Sequence, residues 1–299
     1  MRSGLQVFIS SLLLVLSLQV QAVTVVTSIP PLAAIVQPLL DEDDELVVLL
    51  TPGASPHGFQ LKPSDMRALE RADLVVSVGT GVDAWLNRAL TDFKGSRVLM
   101  VQQPGLVNLT KREGGVWAAH SHSHGEVKNP LRMDGHLWLS LDNARLTLHA
   151  ASEMLQVLNP RFAGAYAARE REILASLAER YQAWEKDLTP HREQGFVVMH
   201  DAYQYFEAQF GLNGVGTIHV NPEVAPSIKR LQELRQSIVD RNVRCVFTEP
   251  QFPQSRLRPV VDGLEVDIGT LDPLGFDNEI RPYEAFYDRL VQDFVACME

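Results

Sequence analysis

The sequence predicts an α/β protein of two lobes, each built on a four-stranded, mostly parallel sheet flanked by helices, with a helical connection joining them. Three observations carry this. Short β-branched runs recur in two sets of four, each run followed by a helical pattern. Between the sets lies a stretch with helical periodicity and no strand. A length of 299 residues suggests about two domains.

The chain opens with Arg2, an apolar run from Val7 to Leu18, and Val20-Gln21-Ala22. A short apolar run ending in small residues is the form of a secretory signal peptide. The expected leader is 1–22, cleaved after Ala22, and the run is too short for a membrane span. No Cys follows the cleavage point, so no lipid anchor is expected there. The mature protein is then soluble and outside the cytoplasm.

The first lobe, expected over 23–141, takes strands at Val23–Ser28, Leu46–Thr51, Leu74–Val78 and Arg97–Val101. Trp117 to Lys128 is rich in His, Ser, Ala and Gly and reads as an exposed loop. The helical connection, 142–189, begins with Asp142 as a plausible N-cap. Ala144, Leu148, Ala151, Leu155 and Leu158 form one face, and Pro160 breaks the helix. A second helix places Ile173, Leu177, Tyr181, Trp184 and Leu188 on one face and stops near Pro190. The second lobe, 190–299, takes strands at Phe196–Met199, Val215–Val220, Val243–Phe247 and Leu264–Gly269.

Composition narrows function. A net charge of -10 without a Lys/Arg cluster argues against nucleic-acid binding, where phosphate contacts dominate. Outside the cytoplasm, Cys245 and Cys297 are expected as a disulfide pinning a C-terminal helix to a strand, with two buried free thiols as the alternative.

Ligands of parallel α/β sheets sit beyond the C-terminal ends of the strands. That rule selects His57, in the loop after Thr51, and His200, directly after Phe196–Met199. It also selects Asp272, after Gly269, while His136 lies in a polar loop before the long helix. Three neutral imidazoles with an oxygen ligand suit tetrahedral zinc, and imidazole also accepts copper and nickel. The run His120-Ser121-His122-Ser123-His124 reads as an accessory, weaker metal contact, or as a solvated loop. Gly79-Thr80-Gly81-Val82-Asp83-Ala84 matches a loose dinucleotide fingerprint. The acidic residue expected about 20 residues on is replaced by Gln102-Gln103, so a tight strand-to-helix turn is the better reading.

Six segments together, in this order, resemble a known family. They are Val25 to Leu32, Pro56-His57-Gly58-Phe59 with Pro63-Ser64-Asp65, Asp134 to Leu139, Met199 to Phe206, Thr248 to Phe252, and Leu271 to Gly275. The chain resembles the periplasmic substrate-binding proteins of bacterial zinc-uptake ABC transporters, the ZnuA type of the metal-binding cluster A-I. The resemblance implies a long rigid helix joining the two lobes, zinc as the carried ligand, His57, His136 and His200 as ligands, and a membrane permease as partner. Manganese-type relatives carry a carboxylate at the third position, where this chain has His200. Some zinc members have Glu before the first His; here Pro56 stands there, leaving Asp272 or a water as fourth ligand. The resemblance also implies the Cys245–Cys297 disulfide. The working unit is expected to be a monomer.

Capture and delivery of zinc without chemistry is therefore the leading expectation. The rival is a secreted zinc hydrolase with Glu249 as general base, since three His with an open position is also a catalytic arrangement. Access separates the two: a hydrolase needs a substrate pocket beside the metal. A carrier of manganese or another divalent metal on the same scaffold is the third reading.

Overall fold

The computed structural model describes residues 22–112, 133–219, 226–275 and 279–299. The leader, apart from Ala22, lies outside them, as do His120, His122 and His124.

The first sheet contains β1 (Thr24–Thr27), β2 (Glu45–Val48), β3 (Leu74–Ser77) and β4 (Ser96–Leu99). Its order is β2-β1-β3-β4 and every pairing is parallel. The helices α1 (Pro30–Val36), α2 (Pro63–Arg71) and α3 (Asn87–Thr91) fall between these strands. Then come α4 (Leu141–Leu158) and α5 (Ala163–Leu188).

The second sheet contains β5 (Gly195–His200), β6 (Asn213–His219), β7 (Cys245–Thr248) and β8 (Asp267–Thr270). Its order, β6-β5-β7-β8, repeats that of the first, again all parallel. Its helices are α6 (Gln204–Phe210), α7 (Ile228–Asp240), α8 (Arg258–Val261) and the C-terminal α9 (Tyr283–Met298). The inner strands β3 and β5 are buried at every residue. Helices cover both faces of such strands, which is why they read as continuous apolar runs.

The long element is α5, 26 residues, or about 39 Å at 1.5 Å per residue. Leu177, Trp184 and Leu188 are buried on its inner face, with Ile173 and Tyr181 half-buried against the same core. The cap of α4 differs from expectation. Ser140 Oγ accepts from Asn143 N at 3.3 Å, so Ser140 is the N-cap. Asp142 sits inside the first turn, where a carboxylate faces the positive end of the helix dipole.

One apolar core runs through both lobes, from Val25 and Leu74 through Leu148 and Leu177 to Phe196 and Phe247. Polar ties cross it. Tyr283 and Tyr287 of α9 donate to the carbonyls of Trp138 and Leu139, at 2.6 and 2.8 Å. Trp138 Nε1 donates to Pro273 O at 2.6 Å, joining a first-lobe loop to a second-lobe loop. Trp184 Nε1 donates to Asp288 Oδ1 at 2.7 Å, fastening α5 to α9. Cys245 and Cys297 form a disulfide, Cα atoms 5.9 Å apart, that pins α9 to β7. Among the described residues, no helix is long and apolar enough to cross a membrane.

Candidate metal centre

The loop after β2, the last residue of β5 and the segment before α4 bring three imidazoles together. After β2, a single helical turn, Pro56–Gly58, carries His57; Ser55 Oγ accepts from His57 N at 3.3 Å. Trp85 Nε1 holds the turn by donating to Pro56 O at 3.0 Å. His200 is the last residue of β5. His136 follows Gly135, which packs against the turn after β3. A Cβ on Gly135 would stand 2.7 Å from both Thr80 Oγ1 and Val82 Cγ2, so a larger residue would push His136 away.

The ring centroids form a near-equilateral triangle, 5.6, 5.6 and 5.2 Å on its sides. One ligand nitrogen from each ring lies within 4.8 Å of the others. His136 and His200 approach through Nε2, 3.3 Å apart.

The opposite nitrogens are engaged. His136 Nδ1 lies 2.7 Å from Asp134 Oδ1, which also accepts from His136 N at 3.1 Å. His200 Nδ1 lies 2.5 Å from Glu249 Oε1, which also accepts from His200 N at 3.3 Å. A carboxylate at Nδ1 fixes the proton there and leaves the Nε2 lone pair for a metal. His57 Nε2 is buried and has no hydrogen-bond partner. Three ring nitrogens, one from each histidine, thus come together. Two nitrogens bound about 2.05 Å from a tetrahedral zinc stand about 3.3 Å apart, which is the His136–His200 separation.

Charge is arranged to match. Burial, then the neighbouring imidazoles, pushes the His57 pKa down to about 2. Burial, then His200, pushes that of His136 down to about 3. Burial also opposes charge on His200, but Glu249, with Asp201 and Asp134 behind it, outweighs burial and raises its pKa. Burial lifts Asp134 to about 6, against the hydrogen bond from His136 N and the charge of Arg112.

A polar frame surrounds the donors. The Arg112 guanidinium pairs with Asp201, next to His200, and with Glu207, where Nη1 donates to Oε2 at 2.8 Å. Tyr205 Oη donates to Asp134 O and accepts from Leu109 N, both at 3.0 Å.

Asp272 is not brought into the ring of donors. Its Oδ1 accepts from Leu274 N at 2.9 Å and from Gln251 Nε2 at 3.3 Å, and the residue lines a separate cavity of about 460 Å³ beside α9. Glu249 is turned onto His200 Nδ1 instead of toward an open position, so its place is that of an orienting carboxylate. The turn at Gly79–Ala84 is filled by its own side chain. Asp83 accepts from Val78, Gly79 and Thr80 N and from Ser28 Oγ, taking the donors a phosphate would need.

The space among the imidazoles is about 10 Å³. That holds about one water-sized sphere. Asp134 and Glu249 were within reach of sequence reading: a carboxylate two residues before one candidate His, and one after the strand beside another. Arg112 gave no signal, since its partners lie 89 and 95 residues away.

Comparisons with known proteins place the chain in a family. Residues 25–297 match the family described as zinc-uptake complex component A, periplasmic (ZnuA). The chain is 34% identical to the high-affinity zinc uptake system protein ZnuA of Yersinia pestis, over 97% of this chain and 96% of that one. A ZnuA crystal structure superposes with a TM-score of 0.79 at 22% identity, covering 93% of this chain and all of that one. A manganese-bound FpvC from Pseudomonas aeruginosa superposes at 0.76 with 18% identity, over 93% and 99% of the two chains. With the family matched from first strand to last helix, the chain belongs to the periplasmic zinc-uptake component A (ZnuA) family.

Proposed function

We propose that this protein captures Zn²⁺ in the periplasm and delivers it to the membrane permease of an ABC transporter for zinc uptake. The observation that carries the reading is the convergence of three imidazoles, two buried and oriented by carboxylates and one half-buried, on a space the size of one ion. Neutral His57, His136 and His200 displace the ion's waters, and Asp134 and Glu249 offset its charge from one hydrogen bond away. Zinc is cargo here and no bond is made or broken.

Three nitrogen donors favour zinc over manganese, which suits oxygen ligands. Cleavage after Ala22 releases a monomer that makes no use of nucleic acid. Its working divisions are the lobes 23–141 and 190–299 with the helical connection 142–189. The accessory histidines His120, His122 and His124 gather zinc weakly from dilute solution. A joining helix welded to a common core limits hinge movement, so release proceeds by local movement around His57, the least buried of the three.

Titration of the metal-free mature protein with zinc against a competing chelator tests this. One tight site per chain, lost in His136→Ala, is expected. No tight site, or tighter binding of manganese than of zinc, would overturn the reading.

A further inference from the structure

The ring of three histidines leaves a tetrahedral ion one ligand short, and a residue in the wall of the same space has an oxygen to offer. Gln251, two residues after Glu249, lines the cavity with His57, His136 and His200. Its amide orientation is fixed from behind. Asp272 Oδ1 already accepts from Leu274 N at 2.9 Å, so it acts as an acceptor, and the amide atom facing it at 3.3 Å is Nε2. The carbonyl Oε1 is thereby turned away from Asp272. It is buried and has no hydrogen-bond partner. A buried carbonyl without a donor is unfavourable unless something meets it. The other buried acceptor without a partner in this wall is His57 Nε2.

We propose that Gln251 Oε1 is the fourth, neutral ligand of the bound zinc, and that Asp272 acts through it as a positioning residue. Charge supports a neutral donor. Asp134 and Glu249 each place a carboxylate one imidazole away from the ion, which matches its two positive charges. A third carboxylate in direct contact would over-compensate them and would have to leave Leu274 N and the Gln251 amide to get there. A neutral amide also holds the ion less firmly than a carboxylate, as suits a cargo that must be released.

This rests on the three-histidine reading, and the test separates the two. Zinc affinity and dissociation into excess chelator are measured for the mature protein and for Gln251→Leu, Gln251→Glu, Asp272→Ala and His136→Ala. In parallel, glutamine labelled with ¹³C at the side-chain carbonyl is followed by NMR during zinc loading. Gln251→Leu is expected to weaken zinc about 10- to 100-fold, at an unchanged one zinc per chain. Gln251→Glu, which keeps size and the oxygen but sets a carboxylate against Asp272, binds more tightly than Gln251→Leu at the same one zinc per chain. Asp272→Ala weakens zinc less than Gln251→Leu does. One glutamine carbonyl signal, absent in Gln251→Leu, moves on loading. Unchanged affinity in Gln251→Leu with no moving signal overturns the proposal, as does a loss confined to Asp272→Ala. If His136→Ala still loses the tight site in that case, the three-histidine reading stands while Gln251 is removed from it.

Discussion

The Nε2 atoms of His136 and His200 face each other at 3.3 Å, and each ring is backed by a carboxylate on its far nitrogen. Two lone pairs at that distance repel unless a cation or a proton stands between them. The centre is therefore built for competition between metal and proton.

The sign of the pH effect follows. A proton on any Nε2 removes a ligand, so zinc affinity falls as pH falls. His200, with its raised pKa, is the first to take a proton and sets the upper part of the curve. As pH falls through about 6, Asp134 also takes up a proton and loosens its hold on His136 Nδ1. Chelator competition from pH 8 to 5 is expected to give a loss that steepens below about 6. A flat profile over that range would contradict the assignment.

Orienting carboxylates act on affinity without being ligands. Glu249→Gln keeps the shape but weakens the grip on His200 Nδ1, and about a 10- to 100-fold loss of zinc affinity is expected. Stoichiometry stays at one. Isothermal titration with a competing ligand measures both quantities at once.

Arg112→Ala should act on stability more than on metal. The guanidinium is held by Asp201 and by the buried Glu207, and its removal leaves both acids without their cation. Stranding buried charges of this kind costs about 3–5 kcal/mol. Urea unfolding of the metal-free protein reads the change as a lower midpoint.

The disulfide closes a loop between positions 52 residues apart, which the chain-entropy treatment values at about 4 kcal/mol. Cys297→Ser should lower the thermal midpoint by on the order of 10 °C. The disulfide is remote from the imidazoles, so zinc affinity of the folded variant is expected to stay within about twofold, since distant sites couple weakly. A large change in affinity would mean that α9 positions the site.

Much of this was legible before any coordinates. The strand runs around Val25, Val75, Val197 and Val246 are the four inner strands because parallel strands covered on both faces must be apolar throughout. Position at strand ends singled out His57 and His200 for the same topological reason. Asp272 satisfied that rule equally well, and its Oδ1 accepts from Leu274 N and the Gln251 amide. A strand-end rule gives the neighbourhood of a side chain and not its direction. Ser140, not Asp142, caps α4, since both are good cap residues two positions apart and only the backbone decides. Arg112 stayed hidden because its role depends on a tertiary contact with no local pattern.

The cavity of about 10 Å³ has a consequence for ions other than zinc. Magnesium gives up its water shell reluctantly and prefers to keep several waters, while calcium asks for six to eight oxygen ligands. Neither habit can be met inside walls this close with nitrogen on three sides. The commonest hard cations are therefore expected to bind far more weakly than zinc, which competition of each ion against zinc checks.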